Sequence, residues 1–224
     1  MGKYYDEALL PAELRRAFNV YDRITASGIA LGTFEENVVS LAQANIAGAV
    51  IHESGLVYLS GTTGGTLPMN DDEERVKHGH EGARQVANVL IRRLHWALSC
   101  GGEGDLNDVL YTVKALAMVV SPGGGAFRSA PAVANGFSFQ WHNVFGGGRS
   151  DAAQNGVDPG GFAGVHARSA VGGFDGRFSI ETEIIVAIPP ALARAIVLNR
   201  GWVFPLPPVM LQKLLEQRRA TSRA

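Results

Sequence analysis

The chain has 224 residues, of which 46% are hydrophobic and 18% charged, a balance that supports one well-buried core and excludes a disordered chain. Twenty basic and 21 acidic residues leave a net charge of −1, which argues against a basic face for nucleic acid. The longest apolar runs, such as 115–120 and 184–190, are far shorter than the ~20 residues of a membrane span.

Met1–Asp6 is too polar to open an export leader, and Cys100 stands alone, without a disulfide partner or the makings of a cysteine-built zinc site. A soluble protein of the reducing cytoplasm is expected. Glycine is abundant, at 28 residues, against a usual ~7% of a chain. Its clusters sit between periodic segments. None continues into the Lys-Ser/Thr of a phosphate loop or forms G-x-G-x-x-G between a strand and a helix, so no nucleotide cradle is expected.

Residues 1–39 read as an N-terminal arm with a helix or two: Pro11 is placed to open one, and Leu14, Phe18 and Ile24 keep roughly helical spacing. From residue 40 the period changes. Ala47, Ala49 and Ile51 alternate, Glu53-Ser54-Gly55 makes a turn, and Leu56–Ser60 resumes as a β-rich run, which predicts two strands joined tightly. Asn70 or Asp71 then caps a helix whose first turn holds Asp72, Glu73 and Glu74, the right sign for its dipole. Ala83, Val86, Ala87, Leu90, Leu94, Ala97 and Leu98 give that helix one apolar stripe, and Gly101-Gly102 ends it.

A strand is expected over 108–120. Pro131 stands near the start of a second helix with the stripe Val133, Phe137, Trp141, Val144 and Phe145, closed by the glycines at 146–148. The glycine-rich stretch 149–164 reads as a surface insertion, placed to act as a lid or a cleft wall. Strands over 165–172 and 177–188 follow. In the second, Phe178, Ile180, Thr182, Ile184, Val186 and Ile188 share one face, and Ser179, Glu181, Glu183, Ile185 and Ala187 the other. A C-terminal extension, 191–224, carries helical stretches at 191–198 and 209–218.

The order β-β-α-β-α-β-β predicts an α+β domain over residues 40–190, with one mixed sheet and two amphipathic helices packed on one face. Its strands are apolar on both sides. The second face therefore needs cover, and an oligomer would supply it while bringing residues of two chains into one cleft.

Glu181 and Glu183 project from the same face of one strand, and Arg168 on the preceding strand is a plausible neighbour. Two readings fit. The charges keep a face polar, or they form a small-acid site in which a guanidinium clamps a carboxylate and a glutamate activates water. Periodicity alone does not choose between them. His78 and His80 point roughly 200° apart on a helix, so a shared metal ion is not expected. His166 has the parity of Arg168 and either packs at the strand start or enters the cleft as an acid or base.

A family resemblance runs through these residues. Gly55-Leu56-Val57-Tyr58-Leu59-Ser60-Gly61 resembles the "lvyvSGq" strand of the RidA/YjgF superfamily, the L-PSP endoribonuclease-like proteins. Gly104-Asp105-Leu106-Asn107-Asp108-Val109 is similar to its "G-sL-dDV" run, and Val133-Ala134-Asn135-Gly136 with Val144-Phe145-Gly146 to its "vN…vFg" helix. His166-Ala167-Arg168-Ser169-Ala170-Val171 resembles "pARsav", and Ile180-Glu181-Thr182-Glu183-Ile184 resembles "vEiE". The pieces keep the family's order over roughly residues 40–188, and their wording resembles a divergent branch.

The resemblance implies a chorismate-mutase-like (YjgF-like) α+β fold, assembled as a homotrimer with clefts between subunits. It implies a hydrolase that deaminates a small enamine or imine carboxylic acid, 2-aminoacrylate-like or aminomuconate-like, to the keto acid and ammonia, without metal or organic cofactor. Arg168 would anchor the substrate carboxylate and Glu181 would activate water. Ser60, Ser169, Ala170 and Asn135 would help to bind the substrate, with His166 as a further candidate. Asn45 or Ile46 falls where such deaminases carry a tyrosine, and Ala170 where many carry a cysteine. The same cleft also fits a non-catalytic, metabolite-binding regulatory trimer. RNA cleavage, the family's older association, is opposed by the chain's charge.

Overall fold

The first hairpin forms where alternation and turn chemistry agree. Strand β1, Ala49–Ile51, pairs antiparallel with β2, Leu56–Gly64, in the register Ile51↔Val57. The turn between them needs Gly55, whose φ of +97° suits a residue without a side chain. A Cβ there would also collide with the Ile188 carbonyl. This computed structural model describes residues 2–5, 8, 10, 18–34, 36–37, 47–65, 72–120, 128–147, 163–174 and 178–204. The expected helix around Pro11 and Leu14, the caps Asn70 and Asp71, Asn45 and Ile46, nearly all of the 149–164 insertion and the stretch 209–218 lie outside these residues.

Helix α1 spans Val20–Ala26 and α2 spans Asp72–Ser99. All seven stripe residues of α2, from Ala83 to Leu98, are buried. Strand β3 runs from Tyr111 to Val120, three residues later than the sequence suggests. Leu106–Asp108 instead forms a 3₁₀ turn, closed by reciprocal capping between Asp105 and Asp108. Helix α3, Ala130–Phe145, buries its whole expected stripe. Within it, Phe137 and Trp141 stack at 5.6 Å, and Trp141 Nε1 donates to the Thr112 hydroxyl at 2.9 Å.

Strands β4, Ala167–Phe174, and β5, Ile180–Ala187, complete the expected set. Helix α4, Pro190–Arg200, and a two-residue strand β6, Val203–Phe204, follow. Strand β6 pairs with β1, so this first part of the C-terminal extension is joined to the same sheet.

The six-stranded sheet has the order β4-β3-β5-β2-β1-β6. Only β3–β4 is parallel, its crossover made by α3, and every other pair is antiparallel. Helices α2 and α3 cover one face, over a core that includes Leu59, Ala115, Ala117, Ile180, Ile184 and Val186. The opposite face exposes Tyr58 and Val171 and leaves Leu116, Met118 and Ile185 half-buried. None of the described helices is long and apolar enough to cross a membrane.

Candidate functional site

Arg168 lies opposite Ala115 in the β3–β4 ladder. Ala115 is fully buried, so Arg168 belongs to the helix-covered face, at the sheet's edge. Its Nη1 donates to Asn135 Oδ1 and to Ser138 Oγ, each at 3.0 Å. Both acceptors come from α3, three residues apart and therefore on one side of the helix.

His166 stands two residues before Arg168 on the same face. Its Nδ1 is 2.6 Å from the Gly164 carbonyl oxygen and its Nε2 is 3.2 Å from Ser138 Oγ. A carbonyl only accepts, so the proton sits on Nδ1 and Nε2 accepts from the Ser138 hydroxyl. Ser138 thus donates to His166 while accepting from Arg168. Burial pushes the His166 imidazole down to about 4, helped by His142 and Arg168 and opposed by the Gly164 carbonyl. The structure makes His166 a half-buried imidazole that supports the arginine through Ser138.

Glu181 occupies the other face. It pairs in register with Met118 on β3 and Thr63 on β2, while its neighbour Thr182 is buried beneath the helices. The ladder between β2 and β5 breaks between Leu59 and Thr62. Gly61 lies in that bulge, and a Cβ on it would collide with the Glu181 carboxylate. Ser60 adjoins it, with its hydroxyl donating to the Ala47 carbonyl and its N–H to Gly48 O at 3.0 Å. Ser169 shares the Glu181 face and Ala170 the Arg168 face. Both are exposed on β4, an edge strand whose backbone offers groups outside the ladder.

The expectation that Arg168 neighbours Glu181 on the preceding strand is corrected. β3 lies between β4 and β5, two strand spacings of ~4.8 Å each, and the two side chains leave opposite faces. The cause is the parallel crossover, which takes β4 to the far side of β3 instead of folding it back on β5. Within one chain the structure brings together Arg168, Asn135 and His166, and separately Glu181 with the Ser60–Gly61 bulge. Ser138 escaped the sequence reading, although its spacing from Asn135 signals a shared helix face.

The face bearing Glu181 has a shallow depression of about 80 Å³ lined by Tyr58, Lys114, Leu116, Glu183 and Ile185 among others. Among the described residues, no group of three or more His, Cys, Asp or Glu side chains is arranged to hold a metal ion.

No family model and no curated protein matches the chain. Among solved structures, the protein Atu1372 of unknown function from Agrobacterium tumefaciens is similar at a TM-score of 0.53 and 22% identity, covering 76% of this chain and 92% of its own. A suggested endoribonuclease from Shewanella oneidensis MR-1 is similar at a TM-score of 0.55 and 17% identity, covering 76% of this chain and all of its own, 100%. NMB1025, a member of the YjgF protein family from Neisseria meningitidis, aligns with 60% of this chain and 80% of its own at 18% identity, but its TM-score of 0.28 is too low to argue from. The first two likenesses show the fold alone, and the chain has an α+β fold of the kind those two structures have.

Proposed function

We propose that the protein deaminates a small enamine or imine carboxylic acid by hydrolysis, in a cleft shared between copies of a homotrimer. The observation that carries this reading is the cradle of Arg168. Asn135 and Ser138 hold its guanidinium at the sheet edge, which prepares it for a carboxylate with little further ordering. Glu181 leaves the opposite face, so a site using both groups takes Arg168 from one copy and Glu181 from another. The apolar residues exposed around Glu181 suit that face to contact with a second copy.

In this reading the substrate carboxylate pairs with Arg168. An enamine first gains a proton on carbon, or an imine one on nitrogen, and either becomes the iminium ion. The oxygen of a water then bonds to the imine carbon while Glu181 takes the water's proton. That proton passes to the amino nitrogen, the carbon–nitrogen bond breaks, ammonia leaves, and loss of the hydroxyl proton gives the ketone. The net change is hydrolysis of the imine to ketone and ammonia, the proton gained at the start being released at the end, and no redox step enters. The lone, buried Cys100 agrees with work in a reducing compartment such as the cytoplasm.

A second reading, a metabolite-binding trimer without turnover, draws on Ser60, whose hydroxyl is already donated to the Ala47 carbonyl. The test is ammonia release from 2-aminoacrylate and iminopyruvate generated in situ. Release by the wild type that is lost in Glu181→Gln and Arg168→Ala supports the deaminase. No release, with a keto acid still bound through Arg168, selects the binding trimer.

A further inference from the structure

The β2 bulge beneath Glu181 is held from the helix side. Arg93 of α2 is only 8% exposed, and its Nη1 donates to the Ser60 carbonyl oxygen at 2.7 Å. Among the described residues no carboxylate pairs with it. Burial lowers its guanidinium to about 10, which leaves it charged at neutral pH. A buried cation costs stability, and among the described residues the Ser60 carbonyl is the partner that the Arg93 guanidinium is given. Such a residue is unexpected on a helix whose other buried positions near it, Leu90, Ile91 and Leu94, are aliphatic.

The sheet does little to stabilise the bulge from within. Thr62 and Thr182 form the first register pair beyond it, and both bury hydroxyl oxygens that have no hydrogen-bond partner among the described residues. On the opposite side of the sheet, Gly61 leaves the space that the Glu181 carboxylate fills. An arginine bonded to the carbonyl of Ser60 and a glutamate seated on Gly61 therefore meet at one peptide unit.

We infer that Arg93 is a positioning residue. It grips the Ser60–Gly61 peptide from the core side and so sets where the Glu181 carboxylate rests on the open face. This inference rests on the reading of Glu181 as the water-activating group only for its catalytic consequence. Its structural half, that Arg93 places Glu181, stands independently.

The experiment compares wild type, Arg93→Lys, Arg93→Met and Gly61→Ala. The side-chain carboxyls of glutamate are labelled with carbon-13, and the Glu181 and Glu183 signals are assigned from the corresponding glutamine variants. The expected result is a displaced Glu181 carboxyl signal in Arg93→Met and Gly61→Ala, with the Glu183 signal in place. Arg93→Lys, which keeps a cationic donor, should return the signal toward wild type. In the deamination assay, kcat should fall by about 10–100-fold in Arg93→Met, with KM little changed and partial recovery in Arg93→Lys.

A Glu181 signal that overlays wild type in folded Arg93→Met, one displaced in Arg93→Lys as far as in Arg93→Met, or one that moves together with Glu183, would overturn the inference. Should the wild type release no ammonia, the deaminase reading fails while the carboxyl signals still decide the role of Arg93.

Discussion

On the helix-covered face Arg168 is held by Asn135 and Ser138, and Ser138 in turn by His166. On the open face Glu181 rests on the bare backbone of Gly61, among side chains that are exposed or half-buried. The difference matches the work proposed for each group. An anchor loses affinity for each rotamer it must surrender on binding, so prior bonding to a rigid helix favours it. A base must reach water and exchange protons, and a face free of the chain's own helices allows that. In the proposed site, the placing of the two groups on opposite faces makes catalysis depend on assembly.

Several substitutions separate the two faces. The largest expected effect is on the open face: Glu181→Gln should lower turnover by ~10²–10⁴-fold while carboxylate binding, followed by ligand titration, is retained. Next comes the core under the helices. Leu90 is fully buried, at 0% exposure, and Leu90→Ala should cost about 2–5 kcal/mol in denaturant unfolding. Arg168→Ala should act chiefly on binding, weakening a keto-acid ligand by roughly 10–100-fold, as expected for lost charge-assisted hydrogen bonds.

The support behind Arg168 has a pH signature. His166 takes up a proton at about 4 in the folded chain, against an ordinary 6.5, so between these values the unfolded chain holds more protons. Acidification through that window should therefore destabilise the fold, and neutral pH should restore it. His166→Gln should remove its share of the slope in unfolding measured between pH 4 and 6.5, and an unchanged slope would contradict the assignment. The smallest effect belongs to the open face again. Val171 is 43% exposed, and Val171→Ala should change unfolding by within about 0.5 kcal/mol. Val171→Asp should instead weaken self-association, read by sedimentation.

What was legible in the sequence was local. The stripes of α2 and α3 and the alternation of β5 depend on residues a few positions apart. Both stripes are buried, and in β5 so are Ile180, Thr182, Ile184 and Val186. Phe178, ahead of the strand, is exposed, whereas Ser179 and Ala187 of the other set are buried. The order of strands is not local. β4 and β5 follow each other in the chain, yet β5 inserts between β3 and β2, so the distance from Arg168 to Glu181 could not be read from spacing. Strand β6 is only two residues long, too short for a period to show. Arg93 is not singled out in the sequence, because what it bonds, a bulge in a distant strand, leaves no mark on a helix pattern. Ser138 was within reach, since Asn135 was already singled out and lies three residues before it on the same helix.

Complementation between two inactive variants tests the shared site most directly. Arg168→Ala and Glu181→Gln would be assayed for ammonia release separately and after co-expression in one cell. A site built from two copies predicts that each variant alone is inactive and that the mixed assembly regains a measurable fraction of wild-type turnover, because some clefts then combine an intact Arg168 with an intact Glu181. A mixture that stays as inactive as either parent, beside an active wild type, would contradict it.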